Sequence, residues 1–182
     1  TVITRTIDAG GGGDYTSFVQ AEADVSNIGT SADLVANDEA IVFECVAGEY
    51  VGFAATSSLT TDATRNVTYR AAAGSEHGGI PGVGVVLYSD DNSRVVQVTD
   101  DYTAFEGLTV ETRTGTAGSD CFYCTGVQGM RFTGCIARDI STAANNTGFT
   151  ILPGGSAANT LENCVTIDTL RGLSTRVVPV SR

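Results

Sequence analysis

The second half of the chain repeats itself, and the length of that repeat leaves few folds open. Phe105-Glu-Gly-Leu-Thr-Val110, Phe132-Thr-Gly-Cys-Ile-Ala137 and Leu161-Glu-Asn-Cys-Val-Thr166 align at spacings of 27 and 29 residues. Each has a large apolar residue, a polar one, a Gly or Asn, and then a short run of small or β-branched residues. A second column keeps the same rhythm: Val96-Gln-Val98, Phe122-Tyr-Cys124 and Phe149-Thr-Ile151, at spacings of 26 and 27. Gly107, Gly134 and Asn163 share one place in the repeat, and they are the residue types that best tolerate a left-handed backbone. A single bend residue between short strands, with a return after roughly 25 residues, describes a solenoid whose turns stack on one another.

In such a stack, parallel strands lie about 4.8 Å apart and equivalent side chains pile into ladders. The predicted interior ladders are Phe105/Phe132/Leu161, Leu108/Cys135/Cys164, Val96/Phe122/Phe149 and Val98/Cys124/Ile151. All are apolar, as interior columns must be. The same alignment stacks Glu106 near Thr133 and Glu162, and Val110 over Ala137 and Thr166. No 3.6-residue apolar period supports a helical solenoid. The repeat is also too long for the hairpin spacing of an antiparallel sandwich.

The first half fits less regularly. Ile41-Val-Phe-Glu-Cys45 alternates, with Ile41, Phe43 and Cys45 inward; Asn66 to Arg70 alternates as well, and Val83 to Tyr88 reads as a third strand. Ala55 to Arg65 and Ala73 to Gly79 read as loops leaving the stack. Near the N-terminus, Asp8 to Gly13 is a flexible turn and Asp14 to Val25 a short amphipathic helix. Thr16 or Ser17 caps it, and Phe18, Ala21, Ala23 and Val25 form its apolar side. A solenoid's first turn leaves strand edges and core bare, so this helix is expected as a lid. The glycine run lacks the Lys of a phosphate loop. Nothing after Val165 reads as a second lid, so the C-terminal end is expected to be uncapped, open to further chain, another protein or a copy of itself. The expected organisation is one domain: residues 1–30 as turn and capping helix, residues 31–182 as the stacked strands. The chain opens at Thr1 rather than Met, which reads as a processed protein or a piece of a longer one.

Charge narrows the partners. All ten basic residues are Arg, and 21 acidic residues leave a net charge of −11. Such a surface repels phosphate backbones and anionic lipids, which argues against nucleic-acid and membrane partners. No run of eighteen apolar residues offers a transmembrane helix. The five cysteines cannot all pair internally. Cys121-Phe-Tyr-Cys124 has zinc-like spacing, yet no second pair and a lone His77 accompany it, so most of the cysteines are expected in the core as free thiols, Cys135 and Cys164 included.

Thr6-Ile-Asp-Ala-Gly-Gly-Gly-Gly-Asp-Tyr-Thr-Ser-Phe18, Glu39 to Cys45, Thr60 to Arg65 and Tyr69 to Gly74 resemble the right-handed parallel β-helix proteins of the pectin-lyase-like class. Within that class they look like versions from phage and prophage structural proteins and secreted bacterial surface proteins. The resemblance implies an all-β, right-handed, single-stranded parallel β-helix located on a virion or cell surface. It covers most of the chain but specifies a fold rather than an activity. Glycan lyases of this class use an Arg or Lys base beside calcium, and hydrolases use clustered carboxylates. Here the candidates are Asp90, Asp91, Asp100, Asp101, Glu106, Glu111, Asp120 and Asp139, with Arg113, Arg131 and Arg138. The ladder alignment does not gather them, although Asp90-Asp91 and Asp100-Asp101 could meet at a loop edge. His77 has no nucleophile placed beside it. Tyr50, Tyr88, Tyr102 and Tyr123 could stack on sugars, but there is no Trp. Asn66-Val-Thr68 and Asn145-Asn-Thr147 match glycosylation sequons, without meaning in a bacterial or phage setting.

The expected function is therefore a non-enzymatic structural module of a virion appendage (tail spike, head fibre or decoration) or of an extracellular fibre. No catalytic residue, metal or cofactor is assigned. Its expected partners are copies of itself or another virion or fibre protein at the C-terminal end, with weak glycan contact. The alternatives are a depolymerase of host surface glycans and a self-stacking filament subunit.

Overall fold

In the computed structural model, residues 1–91, 93–113, 119–141, 146–169 and 171–175 are described. The protein is mostly β, with three sheets in which every strand pair is parallel. The first sheet contains β1 (Val2–Ile7), β2 (Ala40–Cys45), β5 (Val67–Ala71), β8 (Thr103–Glu106), β11 (Arg131–Thr133) and β14 (Thr160–Glu162), side by side in that order. The second runs β3 (Gly48–Val51), β6 (Val85–Ser89), β9 (Thr109–Thr112), β12 (Ile136–Asp139), β15 (Val165–Ile167). The third runs β4 (Phe53–Ala55), β7 (Val96–Val98), β10 (Asp120–Val127), β13 (Thr147–Pro153), β16 (Arg171–Thr175). From β2 onward the chain visits the three sheets in turn, one strand in each, and then returns to the first.

Register explains why the repeat is visible in the sequence. Phe132 pairs with Phe105 and Leu161, Phe122 with Val96 and Phe149, and Cys124 with Val98 and Ile151. Glu106 lies beside Thr133 and Thr133 beside Glu162, while Ala137 lies between Val110 and Thr166. Gly107, Gly134 and Asn163 have φ of +69°, +59° and +53°, so one left-handed bend recurs between the first and second sheets. Only at such a bend is Asn a workable stand-in for Gly.

Side chains from all three sheets share one core. Its spine is a pile of rings: Phe43 on Tyr69 at 4.9 Å, Tyr69 on Phe105 at 5.6 Å, and Phe105 on Phe132 at 5.5 Å, all within 13° of parallel. A second pile from the third sheet, Phe122 on Phe149 at 5.0 Å, meets the first edge-on through Phe132. Stacked and edge-on aromatic pairs each add about 0.5–1.5 kcal/mol beyond the area they bury.

One end of this core is closed by α1 (Phe18–Ile28), whose N-cap Ser17 accepts from the Gln20 N–H. Phe18 lies against Tyr50, Phe53 and Tyr69, with Ala21 and Val25 also buried. The helix begins at Phe18 rather than Asp14 because the preceding residues are held by β1. The Asp14 carboxylate accepts from the Thr6 N–H, and the Tyr15 carbonyl from the Asp8 N–H. Ala23 is exposed, and Ile28 packs on the core in its place. β1 belongs to the first sheet, paired along its length with β2. A short helix, α2 (Leu34–Asn37), follows α1 and buries Leu34. β3 and β4 were not expected from the sequence, and β6 starts at Val85 because Gly84 turns at φ +79°. The last strands, β14 to β16, leave Val165 and Leu173 about half exposed. The final residues, 176–182, where the uncapped C-terminal end is expected, lie outside the described residues.

Candidate functional site

The outer face of the second sheet carries a cluster of charged and aromatic side chains. Register places Tyr88, Glu111 and Arg138 on successive strands. Glu111 is only 3% exposed, which would be costly for a lone carboxylate. It accepts from Arg113 Nε at 3.3 Å and Arg138 Nη1 at 3.4 Å. Arg113 also donates to Glu49, and its guanidinium lies 4.1 Å from the centre of the Tyr88 ring. The Arg113 bond holds the Glu49 carboxyl below its ordinary range.

Next to it, Val19, Val51, Tyr88, Asp90, Asp91, Arg94 and Gln97 line an open groove of about 530 Å³. Asp91 is tied down locally: Ser89 Oγ donates at 2.7 Å and the Ser93 N–H at 2.9 Å, while the Ser93 and Ser89 hydroxyls lower its pKa. Arg94 lies 3.3 Å over the Tyr123 ring and 4.0 Å from Asp120. Burial pushes the Asp120 carboxyl up, against the pull of Thr147 and Arg94.

The remaining acids are dispersed. Asp100 accepts from Ser57 N and Oγ at 2.8 and 2.6 Å and from Ser58 N at 3.1 Å; Asp101 accepts from Gln128 N and Nε2. This pair lines a different surface hollow from Asp90-Asp91, so the two pairs do not share a loop edge. Asp139 is buried and accepts from Thr112 Oγ1 and Ser141 Oγ. On the first sheet, Arg70 bridges to Glu44 in the same row, and Arg131 reaches from a neighbouring row to Glu106. An acid pair poised for hydrolysis needs two carboxyls facing one cleft, one of them kept protonated. Among the described residues, the carboxyls raised by burial, Glu22 and Asp120, are on separate elements, α1 and β10. Among the described residues, no cluster of three or more His, Cys, Asp or Glu is placed to hold a metal ion, and no helix is long and apolar enough to cross a membrane.

His77 serves as a clasp. Its Nδ1 accepts from the Gly79 N–H at 2.8 Å, which leaves the proton on Nε2 to donate to the Gly134 carbonyl at 2.6 Å. The loop after β5 is thereby fastened over the bend at Gly134. In the glycine run, the Gly10 and Gly12 N–H groups point at the Asp8 carboxylate, which occupies the place an anion would need. Tyr50 is buried with its hydroxyl on the Val46 carbonyl, and the Tyr88 and Tyr123 rings carry guanidinium groups, so these three are not bare sugar platforms. Tyr102 is half-buried. Cys121 and Cys124 are both fully buried, and burial raises both thiols, Cys121 to about 12. Asn66 spends its side chain on Ala63 and Thr68; Asn145 of the second sequon lies outside the described residues.

One polar pair escaped the sequence reading. Tyr69, fully buried, donates at 2.5 Å to Glu22 of α1, whose carboxylate also accepts from the Thr56 N–H. Burial outweighs these bonds and pushes the Glu22 carboxyl up. No local motif marks this contact, because its partners are 47 residues apart. Comparison with protein-family models, curated proteins and solved structures finds no match for the chain.

Proposed function

We propose that the three sheets are the faces of a right-handed, single-stranded parallel β-helix of the pectin-lyase-like kind. The chain then acts as a rigid, non-enzymatic module of a virion appendage or of an extracellular fibre. Right-handedness follows from the near-universal sense of parallel crossovers. The surface location rests on the sequence resemblance.

The observation that carries the non-enzymatic reading is the state of the acids. Asp91, Asp100, Asp101, Glu111 and Asp139 are each engaged by hydroxyls, amides or guanidinium groups of the protein itself. Engaged in this way they stabilise the stack rather than face a substrate. The test is incubation with acidic and neutral polysaccharides, followed by assay for new reducing ends and unsaturated uronates. Neither product is expected; release of either one overturns the reading.

A glycan depolymerase is the second reading, and the groove beside Tyr88, Asp91 and Arg94 is what favours it. The exposed Val165 and Leu173 on the last strands support a partner at that end, whether another copy or another fibre protein. Sedimentation velocity over a range of concentrations reports self-association through this end.

A further inference from the structure

Cys135 and Cys164 follow the left-handed bends at Gly134 and Asn163 on successive turns. The residues on either side are in register: Thr133 pairs with Glu162 and Ile136 with Val165. The Gly134 N–H donates to the Glu162 carbonyl and the Val165 N–H to the Cys135 carbonyl. This brackets the two cysteines at the spacing of neighbouring parallel strands, about 4.8 Å between Cα atoms, within the span a disulfide bridges. Side chains paired inside strands point the same way, which opposes the right-angled torsion of a disulfide. These two lie outside the strands, in the bends, and escape that constraint.

Their surroundings differ. Cys135 is completely buried, its Sγ 3.4 Å from the Phe105 carbonyl oxygen. Cys164 is half-buried at the last described turn, its Sγ 3.4 Å from the Glu162 carbonyl oxygen. The other three cysteines are fully buried.

We propose that Cys164 and Cys135 are an oxidation-sensitive thiol pair, Cys164 attacking low-molecular-weight disulfides and Cys135 resolving the adduct to cross-link two successive turns. In the first step the Cys164 thiolate bonds to one sulfur of the small disulfide, whose S–S bond breaks and releases one small thiolate. In the second, Cys135 loses its proton, bonds to Cys164 Sγ and expels the second small thiolate. Two protein thiols are oxidised and one small disulfide is reduced to two thiols. Contact with the neighbouring Cys135 lowers the Cys164 thiol, whereas burial raises that of Cys135. The less buried sulfur is thus also the one more readily ionised, as an attacking thiol requires.

The test is incubation of the native protein with oxidised glutathione, quenching with acid, and peptide mapping by mass spectrometry. The wild-type protein is expected to yield a Cys135–Cys164 disulfide, with Cys45, Cys121 and Cys124 remaining thiols. Cys135→Ser should stop the reaction at a stable glutathione adduct on Cys164, and Cys164→Ser should abolish both products. In the reduced wild type, iodoacetamide should label Cys164 more than about tenfold faster than any other cysteine. Persistence of the wild-type adduct without cross-linking, or first reaction at another cysteine, overturns the proposal. The wild-type mapping decides even where a variant fails to fold.

Discussion

Replacing Phe132 with Ala probes the stack at its centre. The ring is fully buried, stacked on Phe105 at 5.5 Å and met edge-on by Phe122 at 5.1 Å and Phe149 at 5.4 Å. Transfer of a buried aromatic side chain out of water accounts for about 1.5–3 kcal/mol. The cavity adds to this, because the strands above and below are fixed in register and cannot collapse into the space. The expected cost is about 3–5 kcal/mol, a large share of the stability of a typical domain. Leu161 occupies the same column one turn further on, where it is only partly buried. Its replacement by Ala should cost about 1 kcal/mol. Urea unfolding followed by tyrosine fluorescence and near-ultraviolet circular dichroism measures both. If Phe132→Ala costs no more than Leu161→Ala, the continuous interior column is refuted.

Gly134→Ala should cost about 1 kcal/mol, since a Cβ there meets no atom within 4 Å and only the left-handed backbone is penalised; Gly134→Asn should cost less, and equal losses in thermal melts would contradict the bend assignment. Glu111→Gln should destabilise by about 1.5–3 kcal/mol in urea titrations, because it removes the charge shared by Arg113 and Arg138. Glu22 gives a pH dependence. With its carboxyl raised in the fold, its contribution is full below the ordinary carboxylate value of about 4.3 and lost as pH rises through the folded value. Glu22→Gln should therefore flatten the fall in melting temperature between about pH 4 and pH 7, while Glu22→Ala, which strands the Tyr69 hydroxyl, should be the least stable form at every pH in that range. Parallel pH profiles for wild type and Glu22→Gln would sink this assignment.

The second half was legible because stacking makes each turn impose the same demands on the same position. Phe105, Phe132 and Leu161 must all fill one column, and Gly107, Gly134 and Asn163 must all bend left-handed. The same ring column continues through Tyr69 and Phe43, yet the sequence alone did not join them to it. The excursion between β5 and β6, held by His77, makes the step from Tyr69 to Phe105 the longest in the column and hides the period. Cross-turn charge contacts such as Arg113 with Glu49 were illegible for another reason. A long side chain reaches past its paired neighbour, and register names only the pair. The candidate acids could be enumerated from the sequence, but not the hydroxyls and amides that engage them.

Every strand-to-strand hydrogen bond in the three sheets points from one turn to the next. A tensile load applied between the first turn and the last is therefore carried by the turns in series, like the links of a chain. The weakest link sets the breaking force. Both ends of each sheet have a strand with a neighbour on one side only. At the first end α1 packs on the core, while at the other Val165 and Leu173 are half exposed. Under load the stack should therefore peel from β14, β15 and β16.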